Sequence, residues 1–199
     1  MSNDFRSARF WAAELIQPAL YPGARAIDAT MGNGHDTQWL CEQVGNEGCV
    51  YAFDVQPEAV TRTQARLEAA GLRNRAVLYC AGHETMAERV SEPVDVAMFN
   101  LGWLPGSAHG VTTLTETTLR AANAALELLK EDGLLTLCIY PGHAEGTREL
   151  NALVDWARKL DDRKYDVILK AYLNQPNHPP QLLAIKKKRK RKEKPNENI

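Results

Sequence analysis

A chain of 199 residues, 44% hydrophobic and 25% charged, has the composition of one ordinary soluble α/β domain with a substantial core. Its net charge of −1 hides an asymmetry: KKKRKRKEK (186–194) carries eight basic residues, and without residues 186–199 the rest holds 16 basic against 23 acidic residues, a net of −7. No apolar run reaches the roughly 18 residues of a membrane span, and MSNDFRSARF lacks the basic-then-apolar layout of a secretory signal, so a cytoplasmic protein without a membrane partner is expected.

The predicted elements alternate. A leading helix covers about 7–20, with Pro22-Gly23 as its stop. AIDAT (26–30) is a short strand containing Asp28, and the glycine loop DATMGNGHDT (28–37) follows at once. CVYAFDV (49–55) is a buried strand reaching Asp54; Pro57 then opens a helix to about Ala70, ended by Gly71. AVLYCAG (76–82) and VDVAMFNLG (94–102) are further strands. Leu119, Ala122, Leu126 and Leu129 recur with helical spacing, LLTLCIYPG (134–142) is a strand, and Leu150, Leu153, Val154, Ala157 and Leu160 mark another helix. YDVILKAYL (165–173) and QLLAIKKK (181–188) flank the turn-rich NQPNHPP, and their short connection predicts an antiparallel pair. Near-continuous apolar strands alternating with helices predict a doubly wound, mostly parallel, Rossmann-like sheet of seven strands, with its ligand at the carboxyl ends. The four cysteines (41, 49, 80 and 138) form no C-x-x-C pair and read as reduced, mostly buried thiols, so no metal site is expected.

The glycine loop narrows the ligand. A phosphate loop needs G-x-x-x-x-G-K-[ST], which does not occur. The dinucleotide fingerprint G-x-G-x-x-G begins well at Gly32-Asn33-Gly34 but meets Thr37 at its third glycine, and Asp28 and Asp36 would repel a pyrophosphate. S-adenosylmethionine removes the conflict, because it carries a sulfonium and an ammonium group and no phosphate. On this reading Gly32 and Gly34 let the backbone approach the ligand, and Asp54 accepts hydrogen bonds from ribose hydroxyls. His83, just past the third strand, either borders adenine or serves as a turn residue. Asn100 follows the fourth strand, at the position that faces the methyl group in this architecture, and Trp103 either stacks on a base or packs.

DATMGNGHDT, AFDVQ, MFNLGWLPG, YPGH and NQPNHPP, in this order over about residues 8–185, resemble the bacterial tRNA 5-(aminomethyl)-2-thiouridine methyltransferase family, formerly labelled as an rRNA methylase. The resemblance implies a class I methyltransferase fold, with the methyltransferase domain over residues 1–185; the charge run itself, not the resemblance, predicts a basic, disordered tail over 186–199. The resemblance implies S-adenosyl-L-methionine as donor, the anticodon stem-loop of a tRNA as partner, and methylation of the wobble 5-aminomethyl-2-thiouridine to 5-methylaminomethyl-2-thiouridine. It leaves a homodimer open. Carried onto this chain, the cofactor residues are Asp28, Gly32, Asn33, Gly34, Asp36, Thr37, Asp54, Gln56, His83 and Asn100. The substrate side takes Asn100, Leu101, Gly102, Trp103, Pro105 and Gly106, with Tyr140, Gly142 and His143. Asn100, Trp103 and His143 are the catalytic candidates, with no general base assigned and His143 equally readable as a turn residue. The chain departs from the family where Ser107-Ala108-His109 replaces a common Gly-Asp-Lys, which puts a phosphate contact in doubt, and in its basic tail, which suits either solvent or RNA phosphates. A methyltransferase of another RNA site, a small-molecule methyltransferase and a non-catalytic RNA-binding protein remain as rivals; a dehydrogenase is disfavoured by Asp28 and Thr37.

Overall fold

A computed structural model describes residues 7–102 and 113–190. Seven strands form one sheet: β1 (Arg25–Asp28), β2 (Cys49–Asp54), β3 (Ala76–Cys80), β4 (Val94–Asn100), β5 (Leu129–Ile139), β6 (Tyr165–Lys170) and β7 (Gln181–Lys187). They lie in the order β3-β2-β1-β4-β5-β7-β6; the first five are mutually parallel, and β7 runs antiparallel to both β5 and β6. The doubly wound sheet and its antiparallel C-terminal pair are therefore as expected. The helices are α1 (Ala8–Ile16), α2 (His35–Val44), α3 (Pro57–Ala69), α4 (Met86–Arg89), α5 (Thr115–Leu128) and α6 (Ala144–Ala157).

Side chains of successive strand residues serve opposite faces. Ala26, Val50, Val96 and Met98 meet α2 and α3, while Cys138, Leu182 and Ala184 meet Trp11 and Ala12 of α1. The alternate residues, among them Ile27, Phe53, Ala97, Phe99, Leu137 and Ile185, pack with α4, α5 and α6. Phe53 and Phe99 are fully buried, each stabilising the fold by about 1.5–3 kcal/mol.

The differences from the predicted elements have local causes. β1 stops at Asp28, whose side chain turns to brace the following loop. α5 stops at Leu128, and β5 starts one residue later with an irregular segment. There the register against β4 shifts between Val94 and Val96, and Asp132 adopts φ 64°. β7 runs through Lys187, so the first lysines of the basic run belong to the sheet. The Lys187 ammonium donates to the carbonyls of Leu126 (2.9 Å) and Leu129 (2.6 Å), satisfying the open C-terminal end of α5. Cys41 and Cys138 are buried, Cys49 is half-buried and Cys80 is exposed. No helix among the described residues is long and apolar enough to cross a membrane.

Candidate active site

A cavity of about 490 Å³ opens at the carboxyl ends of β1, β2, β3 and β4, within the range of small-molecule sites. Its wall is set by the 28–37 loop. Asp28, the last residue of β1, is 1% exposed. Its carboxylate accepts from the Thr37 hydroxyl (2.6 Å) and the Thr30 N–H (3.1 Å), tying the start of the loop to the first turn of α2. Burial, then the charge of Asp36, pushes the Asp28 carboxyl up to about 7.

Asp54 ends β2 and braces the loop from the other side. One oxygen accepts the Gly32 N–H (3.0 Å) and the other the Gln56 N–H (2.9 Å). Burial raises its pKa against these bonds, and its remaining lone pairs can still accept from a diol. Gly32 (φ 51°) and Gly34 (φ 78°) occupy the left-handed region. A Cβ on Gly34 would stand 2.7 Å from the Thr63 Oγ1 and 2.9 Å from the Thr63 Cα, so this glycine serves the approach of the loop to α3. Several of the loop's N–H groups are engaged within the protein: Thr30 by Asp28, Gly32 by Asp54, and Gly34 by the Met31 carbonyl (2.8 Å). The carboxylates of Asp36 and Asp54 line the cavity beside the loop, which opposes a pyrophosphate and suits a cation.

Asp36, in the first turn of α2, links two distant elements. It pairs with Arg9 of α1 (2.6 Å) and accepts from the Asn100 Nδ2 (3.3 Å). The Asn100 N–H donates to the Thr30 hydroxyl (2.7 Å), which fixes the end of β4 against the loop. The Asn100 Oδ1 is buried and has no hydrogen-bond partner among the described residues. Tyr140 shares this wall; burial pushes its phenol up to about 12, against a small opposing effect of the Asn100 side chain. His83 lines the adjoining wall with its Nδ1 3.2 Å from the Ala29 carbonyl, which assigns the proton to that nitrogen. Burial lowers its pKa, so the ring is neutral near pH 7.

Of the sequence-derived residues, Gly32, Asn33, Asp36, Asp54, Gln56, His83, Asn100, Leu101, Gly102 and Tyr140 meet at the cavity. Asp28, Gly34 and Thr37 stand behind the wall and shape the loop. His143 is not on the wall: it caps α6, its Nδ1 accepting the Gly146 N–H (3.1 Å). Gly142 is likewise absent from the cavity wall. Trp103, Pro105, Gly106 and the 107–109 segment lie outside the described residues. Sequence reasoning missed Arg9, and also Thr113, Leu114 and Thr117 at the start of α5, which line the cavity. No pattern in the chain marks them, because only the tertiary fold brings them to the strand ends.

The model of the family described as "Putative rRNA methylase" matches residues 50–186. The chain belongs to this family. A crystal structure from Clostridium thermocellum, described in the same words, is 35% identical, covers 92% of this chain and 98% of its own, and has a TM-score of 0.90. A methyltransferase from Streptococcus mutans, solved in complex with SAH, is 36% identical over 92% and 99% of the two chains, with a TM-score of 0.84. Among curated proteins, the chloroplastic tRNA (mnm(5)s(2)U34)-methyltransferase of Arabidopsis thaliana is 35% identical over 86% of this chain. The chain spans 66% of that protein's length. The fold is that of the class I S-adenosylmethionine-dependent methyltransferases.

Proposed function

We propose that the protein is an S-adenosylmethionine-dependent tRNA methyltransferase. It methylates the aminomethyl nitrogen of wobble 5-aminomethyl-2-thiouridine, giving 5-methylaminomethyl-2-thiouridine, with the anticodon stem-loop as its cytoplasmic partner. The observation that carries this reading is Asn100. Its buried, unpartnered Oδ1 stands at the end of β4, in the wall of a cavity otherwise built for a cationic, diol-bearing ligand. The name of the 35% identical Arabidopsis relative supports the wobble uridine as substrate.

S-adenosylmethionine supplies a methyl group on a sulfonium leaving group. Asp36 and Asp54 present carboxylates to the cavity, and a bound cation would favour the ionised form of Asp28 behind them. Asp54 takes the ribose hydroxyls while holding Gly32, and neutral His83 borders the adenine. An amine attacks only when neutral, with its lone pair aligned on the methyl. The Asn100 Oδ1 accepts an N–H of that amine and so aims the lone pair; Asp36 and Thr30 keep the amide and backbone of Asn100 fixed. Orientation of this kind can supply up to about 7–11 kcal/mol of the barrier. His143 contributes by setting the start of α6 behind Tyr140.

The family description favours a second reading, methylation of an rRNA base amine. Nucleoside mass spectrometry separates the two after incubation with labelled donor and anticodon stem-loops with and without the aminomethyl group. Methyl on the aminomethyl nitrogen alone is expected; equal labelling of both stem-loops, or methyl on a ring atom, refutes the proposal. Asn100→Ala should lower kcat by about ten- to a hundredfold while donor Kd changes less than about threefold.

A further inference from the structure

Glu149 of α6 is 2% exposed, an unusual place for a carboxylate. It accepts from two hydroxyls, Thr118 at 2.6 Å and Thr113 at 3.1 Å. The charge that acts on it is that of Glu145, one turn earlier and of the same sign, and burial raises its pKa. A buried carboxylate held by hydroxyls alone is costly, and a neutral side chain would serve pure packing better.

The Thr113 hydroxyl carries the contact onward. It accepts the Gly102 N–H (3.0 Å), and the Thr113 N–H returns to the Gly102 carbonyl (3.0 Å). Gly102 adopts φ 124°, two residues beyond Asn100, and lines the cavity together with Thr113. A hydroxyl has one hydrogen to give. Because Thr113 gives its hydrogen to Glu149, its lone pairs stay free for Gly102. Glu149 must therefore accept at both oxygens. An ionised carboxylate does so, whereas an amide would turn a donor toward one of the two threonines. Glu145, on the same face of α6, grips the start of α5: one oxygen accepts both the N–H (3.1 Å) and the hydroxyl (2.8 Å) of Thr115. Leu114, 55% exposed, lines the cavity between these two anchored threonines.

We propose that Glu149 is a positioning residue for methyl transfer: acting through the Thr113 hydroxyl, it fixes Gly102 and with it the strand end that aims Asn100, a role that rests on the function proposed for Asn100 above. The end of β4 is then pinned on three sides. Thr30 holds the Asn100 N–H (2.7 Å), the Cys138 carbonyl holds the Leu101 N–H (2.9 Å), and Thr113 holds the Gly102 N–H. The first two come from the glycine loop and the neighbouring strand. The third is set from α6, and Glu149 itself is not on the cavity wall. Its loss should leave donor binding in place and misplace the group that orients the nucleophile, where a shift of about 1 Å can cost about a hundredfold in rate.

Glu149→Gln and Thr113→Val break the chain of bonds at its two links. Each should lower the single-turnover rate of methyl transfer about tenfold or more, while the donor Kd by calorimetry stays within about threefold. Thr113→Ser keeps the hydroxyl and should recover most of the loss seen in Thr113→Val. The double variant E149Q/T113V should lose no more than Thr113→Val alone, because both residues act through one bond to Gly102. Rates are measured on the aminomethyl stem-loop and, in parallel, on total RNA, so an error in the proposed substrate shows as label in the wrong RNA from the unaltered protein. The hydrogen-bond chain also has a readout that needs no RNA. By NMR hydrogen exchange, the Gly102 amide should exchange at least about tenfold faster in both single variants. Unchanged Gly102 exchange, an unchanged transfer rate, a rate and donor affinity that fall together, or losses that multiply in the double variant overturn the proposal.

Discussion

Asp28→Asn should stabilise the ligand-free protein at pH 8 and leave its stability at pH 4 nearly unchanged. Burial and Asp36 raise the folded-state carboxyl to about 7, against about 3.9 in an unfolded chain. The folded protein thus holds a proton that the unfolded chain has released between these values, so stability is greatest below about pH 4 and falls as pH rises through 7. Three units at about 1.36 kcal/mol each set an upper scale of about 4 kcal/mol for that loss. Asparagine has no charge to desolvate. Its Oδ1 can keep the Thr30 N–H, and its Nδ2 can donate to the Thr37 hydroxyl, in place of the two bonds Asp28 makes. The expected gain over the unaltered protein is about 2–4 kcal/mol at pH 8 and under about 1 kcal/mol at pH 4. Urea unfolding of both proteins at half-unit steps, followed by tryptophan fluorescence, measures it, since the difference between the two curves cancels groups they share. Parallel curves from pH 4 to 8 would refute the reasoning. A cationic donor reverses the preference, so the same variant should bind S-adenosylmethionine more weakly, and lose the rise in affinity through pH 7 that the carboxylate confers.

Asp54→Ala should weaken donor binding by about 1.5–3 kcal/mol, ten- to about a hundredfold in Kd by calorimetry; an unchanged Kd in the folded variant would remove Asp54 from the ribose site. Gly34→Ala combines a left-handed backbone with the clash at Thr63, which together should cost about 2–5 kcal/mol of stability. A melting temperature within about 2 °C of the unaltered protein would show that α3 can move aside. Deleting residues 191–199 leaves β7 whole, and should weaken tRNA binding mainly at low salt while donor affinity stays the same; an unaltered salt slope would assign the tail to solvent.

The residues most legible in the sequence are those at strand ends. Asp28 and Asp54 read as strand ends because an apolar run stops at each, and both do end their strands; Asn100, which reads as following the fourth strand, is its last residue. Short apolar runs and turn residues also carried the antiparallel pair β6–β7. α2 leaves only a faint trace in the sequence: Thr37, Leu40, Cys41 and Val44 bury one face at i, i+3, i+4 and i+7, but polar neighbours blur the stripe. The role of Gly34 was not readable, because the atom it must avoid belongs to Thr63, on another helix. Nor was Arg9, a surface-type residue on a leading helix until Asp36 and the cavity give it a place. Periodicity reports what one element buries; it is silent on which element it will be buried against. His143 shows the same gap, since a histidine beside a glycine reads alike whether it caps a helix or faces a substrate.

The placement of β7 between β5 and β6 has a consequence for synthesis. A nascent chain that has released β6 but not β7 exposes two unpaired borders, one on β5 and one on β6, and β6 has nothing to hold it. The β5 border contains Leu135, Leu137 and Ile139, all fully buried once the chain is complete. At about 5–20 residues per second, the 17 residues from Ala171 through Lys187 take on the order of a second or more to make. During that interval the half-made molecule is a substrate for chaperones and a partner for any passing strand. The final insertion is then a zipper closing two seams at once, so ribosome pausing within this stretch should lower the yield of protein far more than pausing near residue 100.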